Sequence, residues 1–111
     1  MIVDFRKEEK SLIFVLTEDV DQHTSEKIRR KMDNEIKRYI PRKVIFDFSN
    51  ISFMDSAGIG MVLGRYKLIK MLDGNLEIIN VNRSMKKIFD MSGVSRIINI
   101  IEEESNEGVI W

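Results

Sequence analysis

The residues of this chain best placed to carry chemistry stand together as Asp55-Ser56-Ala57-Gly58-Ile59-Gly60, after the apolar run Phe46-Asp47-Phe48 and a short stretch containing Ser49, Asn50 and Ser52. A strand feeding a loop and then a helix puts Ser56 at the helix start, where backbone N–H groups lack intrahelical partners and the helix dipole is positive. A phosphate on the Ser56 hydroxyl is well received there, and Asp55 suits the same end of the helix. Ser56 is therefore expected to be a phosphorylation site that works as a switch. Other chemistries fit these residues less well. Gly58, Gly60 and Gly64 approach a dinucleotide-binding fingerprint, but Leu63 occupies the place of the third glycine and Glu77 is a poor candidate for binding a ribose. A serine-hydrolase elbow requires glycine where Met54 stands, and its base would have to be His23, the single histidine. One histidine near a helix start reads as a solvated capping residue, and with no cysteine it builds no metal cluster. No catalytic residue, metal or cofactor is expected.

Periodicity shows which elements must hold Ser56 in place. Residues 2–7 and 12–17 carry apolar side chains at strand spacing around Glu8-Glu9-Lys10-Ser11, which predicts a hairpin. A polar loop over 18–23 leads to a helix over 24–39, with Ile28, Met32, Ile36 and Ile40 in one buried stripe and Pro41 as its stop. Val44, Ile45 and Phe46 in succession predict a central strand over 43–48, covered on both faces. The helix that starts at Ser56 is predicted to reach residue 72 and close at Asp73-Gly74, with Gly74 left-handed. A strand over 75–81 follows, then a short helix over 84–91 with Met85, Ile88 and Phe89 inward, Asn82 as its cap and Gly93 at its end. The last strand is predicted over 97–101. Beyond it, Glu102-Glu103-Glu104 and the apolar Val109-Ile110-Trp111 either form a short helix returning to the domain or fray. The fold class is α/β: a mostly parallel sheet of four to five strands with an antiparallel N-terminal edge hairpin and helices packed against it, as one domain over 1–111.

The helix that begins at Ser56 has apolar surface to spare. At about 100° per residue, Ile59, Val62, Leu63, Tyr66 and Ile69 share the side expected to meet the sheet. Ala57, Gly60, Met61, Gly64, Leu68 and Met71 form a second stripe beside Ser56, where a surface helix ordinarily shows charge. Glycine inside a helix costs up to about 1 kcal/mol relative to alanine, so something should compensate at Gly60 and Gly64. Either a neighbouring helix packs closely over them or the face docks a partner. In the second case a phosphate on Ser56 adds roughly −1.5 to −2 charge beside Asp55 and opposes docking.

Charge and composition exclude whole classes of partner. Lys plus Arg and Asp plus Glu each number 18 among 111 residues, so no global field favours nucleic acid or an anionic membrane. The basic residues Lys27, Arg29, Arg30, Lys31, Lys37, Arg38, Arg42 and Lys43 gather around the first helix, with Glu26, Asp33 and Glu35 interspersed, as on a solvated face. The absence of cysteine excludes disulfides and thiolate metal sites. No apolar run approaches the roughly 20 residues of a spanning helix, and the first residues lack the apolar core of a signal peptide, so a cytoplasmic location is expected.

With these residues in view, the chain resembles the STAS domains of the anti-sigma factor antagonist family, and most closely its sporulation branch. The resemblance rests on Phe53-Met54-Asp55-Ser56-Ala57-Gly58-Ile59-Gly60, Leu63-Gly64-Arg65-Tyr66-Lys67 and Phe89-Asp90-Met91-Ser92-Gly93, in the family's order and spacing. It implies the STAS fold and a non-enzymatic phosphoprotein. Unphosphorylated, such a protein binds an anti-sigma factor that is also a serine kinase and so frees a sporulation sigma factor. The kinase inactivates it by phosphorylating the serine matching Ser56, and a serine phosphatase reverses this. The implied partner surface takes in Asp21 in the loop after the second strand, and Asp55, Ser56, Ala57, Gly58, Ile59, Gly60, Gly64 and Arg65 around the phosphorylated helix. Some members carry a second hydroxyl where Ala57 stands, so Ser56 is the sole acceptor here. The alternative is a phospho-switched STAS module within another signalling scaffold.

Overall fold

The elements follow one another as β1 (Ile2–Arg6), β2 (Ser11–Val15), α1 (Ser25–Tyr39), β3 (Lys43–Asp47), α2 (Ser56–Met71), β4 (Asn75–Val81), α3 (Arg83–Met91) and β5 (Asn99–Glu102), in a computed structural model that describes residues 1–104. The strands lie side by side in chain order, β1 antiparallel to β2 and the remaining pairs parallel. The hairpin, the α/β class and the mostly parallel sheet are as the sequence predicts. The expectation for Val109-Ile110-Trp111 lies outside the described residues.

Two rows of apolar side chains cross the parallel strands in register: Leu12, Val44 and Leu76, then Phe14, Phe46 and Ile78. All six are buried, and α1 covers them with Ile28, Met32 and Ile36, α2 with Val62 and Ile69, and α3 with Met85 and Phe89. Burial of each such large side chain contributes about 1.5–3 kcal/mol relative to exposure. β3 is central, but the expectation that both its faces are covered is wrong. Val44 and Phe46 are buried while Lys43, Ile45 and Asp47 are half-buried. The reason is topological: strands that advance in one direction across a sheet, joined by right-handed crossovers, place every connecting helix on the same face.

Element ends also depart from the sequence reading. The last strand starts at Asn99 and not at residue 97, because a short 3₁₀ turn over Val94–Arg96 carries Ile98 into the core first. At the end of α1, Ile40 takes the left-handed conformation (φ 45°) before Pro41, which turns it out of the stripe expected to be buried and leaves it exposed. At the end of α2, Asp73 and not Gly74 is left-handed (φ 61°). Gly74 is needed for a different reason. A Cβ there would lie 2.9 Å from both the Pro41 carbonyl oxygen and Ile69 Cγ2, so its bare backbone lets the end of α2 close against the end of α1.

Gly74→Ala is accordingly expected to lower the unfolding free energy by about 1–3 kcal/mol, the range for overpacking a closed site. A urea midpoint equal to that of the unchanged chain would disprove the tight approach.

Candidate functional site

Two loops at the carboxyl ends of β2 and β3 build the surroundings of Ser56. Val20 in the first and Met54 in the second pair as a parallel bridge, both are buried, and the Asp55 amide donates to the Val20 carbonyl at 3.3 Å. The first turn of α2 sits directly on this contact. A Cβ on Gly58 would overlap Met54 Cγ, so the bare backbone there leaves the room that the buried Met54 side chain fills beneath the helix. Asp55 has extended backbone, and its carboxylate accepts the Ala57 amide at 2.9 Å as the cap of α2. Ser56, the first helical residue, is exposed.

The loop before α1 is held by its own carboxylates. Asp21 Oδ1 accepts the amides of His23 at 2.8 Å and Thr24 at 3.0 Å. These bonds favour the ionised form and hold the Asp21 pKa below the ordinary carboxylate value. Asp21, expected on the partner surface, thus sets the start of α1 and remains half-buried. Asp19 is a residue that sequence reasoning missed. Its Oδ1 accepts the amides of Ser52 at 3.1 Å and Phe53 at 3.3 Å, so it fastens the loop ahead of Ser56 to the loop ahead of α1. No periodicity marks a carboxylate whose partners lie 33 and 34 positions along the chain.

The face that α2 buries differs from the expected one. Gly58, Met61, Val62, Arg65 and Ile69 are buried, whereas Ile59, Leu63 and Tyr66 are half-buried. α1 packs along α2 as well as the sheet does, and this turns Met61 and Arg65 inward. Arg65 Nε lies 2.7 Å from Asp33 Oδ1 of α1, an electrostatic contact without hydrogen-bond alignment. Burial draws the Arg65 pKa down and the Asp33 carboxylate pushes it back up. Arg65, expected to meet a partner, is only 7% exposed and ties the two helices together.

Gly60 and Gly64 behave otherwise. Nothing stands within 4 Å of a Cβ built on either, so no neighbouring helix packs closely over them in the described residues. Gly60 instead joins Ala57 and Met61 on one wall of a small groove whose other wall is Ser25, Glu26 and Arg29 of α1, with Arg65 also lining it. The structure therefore gathers Ala57 and Gly60 at the groove with Ser56 beside them. Gly64, one turn on, and Ile59 are half-buried, and Gly58 belongs to the support beneath.

His23 is exposed and lines a different depression, along α1 with Lys27 and Lys31. Glu26 pairs with both Arg29 and Arg30, which breaks up the basic face of α1. Among the described residues no three acidic or histidine side chains are grouped to hold a metal ion, and no helix is long and apolar enough to cross a membrane.

The family model described as STAS domain matches residues 3–107. The anti-sigma F factor antagonist of Paenibacillus polymyxa is 39% identical over 95 residues, covering 86% of this chain and 81% of that protein. The solved structure of the anti-sigma factor antagonist SpoIIAA in its unphosphorylated form has a TM-score of 0.70 at 25% identity, covering 97% of this chain and 92% of that one. The Bacillus cell fate determinant SpoIIAA in the phosphorylated form has a TM-score of 0.65 at 29% identity, covering 91% and 88%.

Asp33→Ala should strand the Arg65 charge between the helices and destabilise the chain by up to about 3 kcal/mol, and Asp33→Ala with Arg65→Leu should recover much of that loss. Urea unfolding of the single and double variants decides it, and a double variant no better than Asp33→Ala would refute the pairing.

Proposed function

This chain belongs to the STAS domain family, and we propose that it is an anti-sigma factor antagonist, a binding protein and not an enzyme, which docks its partner through the groove beside Ser56. The observation that carries this reading is the pair of open glycines in α2. Each lowers helix stability by up to about 1 kcal/mol, and nothing in the described fold uses the space they leave. A partner element laid along Ala57 and Gly60 would use it, since small residues let two backbones approach closely.

The Paenibacillus polymyxa relative is named for antagonising anti-sigma F factor, and the SpoIIAA neighbour is known in unphosphorylated and phosphorylated forms. These names support an anti-sigma factor as the partner and a phosphorylated state as the regulated one; that the anti-sigma factor is itself the serine kinase, that the phosphate sits on Ser56, and that the switch serves a sporulation programme in the cytoplasm are parts of the same proposal. The physical mechanism is local. Ser56 is exposed to a kinase, and its phosphate would stand beside the Asp55 carboxylate that caps the same helix. Roughly −1.5 to −2 charge added at the edge of a small-residue groove must be desolvated for a partner to dock, next to a like charge. Unphosphorylated protein then binds the anti-sigma factor and frees the sigma factor, phosphorylated protein does not, and a serine phosphatase restores the binding form.

Incubation with ATP and the anti-sigma kinase from the same genome should add a single phosphate that maps to Ser56 by mass spectrometry and is absent from Ser56→Ala. Ser56→Asp should lose anti-sigma binding while Ser56→Ala keeps it. Equal affinity of Ser56→Asp and the unchanged chain would rule out charge as the switch.

Gly60→Ala separates docking from folding. It should raise the unfolding free energy by up to about 1 kcal/mol through helix propensity and weaken anti-sigma binding. A variant that is more stable and binds equally well would remove Gly60 from the interface.

A further inference from the structure

We infer that Phe53 is an apolar anchor of the docking surface, held outward by Asp19, and that the anti-sigma factor presents an apolar pocket to receive it next to where it engages Ser56. This deepens the functional reading above and rests on it. Phe53 is 57% exposed, yet the chain around it is fixed: Ile51 and Met54 on either side are buried at 4% and 1% exposure. Its own amide and that of Ser52 both donate to Asp19 Oδ1, and the Ser52 hydroxyl lies 3.3 Å from Asp19 Oδ2. Two residues on, the Asp55 amide is bound to the Val20 carbonyl. A large aromatic ring is thus presented to solvent from a backbone that has already given up its freedom. Such preorganisation lowers the ordering cost of association, and aromatic side chains dominate the binding energy of interfaces.

Position supplies the occupant. Phe53 stands three positions before Ser56, so their Cα atoms are at most about 11 Å apart. A standard interface covers about 800 Å² on each partner, a patch roughly 30 Å across, so a protein that lies along the groove and engages Ser56 at its edge has area enough to reach Phe53 as well. Among the other exposed apolar side chains, Met71 ends α2, which at about 1.5 Å per residue puts it more than 20 Å along the helix from Ser56, and Ile2 lies on the edge strand β1, paired with Val15. Asp19 acts through Phe53 and is a positioning residue: its carboxylate aims the loop.

The test is calorimetric titration of the full chain and its variants against the recombinant anti-sigma factor from the same genome, with urea unfolding of each variant. Phe53→Ala should bind at least about tenfold more weakly with an unchanged unfolding midpoint, and Phe53→Leu should recover part of the affinity. Asp19→Asn should weaken binding in the unchanged chain but have no further effect in the Phe53→Ala background, which a merely structural role for Asp19 would not produce. Wild-type affinity for Phe53→Ala overturns the inference and leaves the functional reading intact where Ser56→Asp still abolishes binding. An additive loss from Asp19→Asn in the Phe53→Ala background overturns the positioning role. No binding by the unchanged chain overturns the functional reading and this inference with it.

Discussion

The missing side chain at Gly58 is the constraint on which the rest of the site depends. Because no Cβ stands there, Met54 can fill the space under the first turn of α2 and pair with Val20, drawing the two loops at the carboxyl ends of β2 and β3 into one layer. That layer fixes the direction in which α2 leaves the sheet. It also fixes the Asp55 cap and the outward position of Ser56. The crevice at the carboxyl ends of parallel strands is where α/β folds commonly place their functional groups, and this chain builds it from backbone pairing and carboxylates.

α2 divides its work between two sides. Toward α1 and the sheet it presents Met61, Val62, Arg65 and Ile69, with the Arg65 charge matched by Asp33. Toward the groove it presents Ala57 and Gly60, which leave room that the described fold does not fill. The first side stabilises the helix in place and the second weakens its intrinsic propensity, a combination that makes sense where a helix face must stay smooth for something outside the chain. The charged chain from Glu26 through Arg29 to Asp33 and Arg65 runs along the same boundary between the helices. The packing that holds α1 to α2 and the wall of the groove therefore share residues.

Much of this was legible in the order of residues. Strand and helix periodicities located every element to within a few positions, the Asn82 cap of α3 was marked by its residue type, and Ser56 at a helix start followed from the apolar run before it and the small residues after it. The misreadings share a cause. Val44, Ile45 and Phe46 looked like a doubly covered strand because apolar succession cannot tell a covered face from a half-open one. The burial of Arg65, which the resemblance puts on the partner surface, could not be read locally, because its charge says nothing about an Asp33 that lies 32 positions earlier on another helix. Asp19 went unnoticed for the same reason.

The sequence by itself determined the local features: which segments become strands or helices, where helices start and stop, and that a lone hydroxyl opens α2 beside an acidic cap. Those depend on periods of two and 3.6 residues, on caps and on breakers, all of which act within a few residues. Only the tertiary structure decided which side of α2 is buried, that Arg65 faces inward, that Gly60 and Gly64 are open, and that Asp19 holds the Phe53 loop. Each of these rests on a contact between segments far apart in the chain, and such contacts exist only after β2, β3, β4 and β5 line up in order and right-handed crossovers bring the helices to one face.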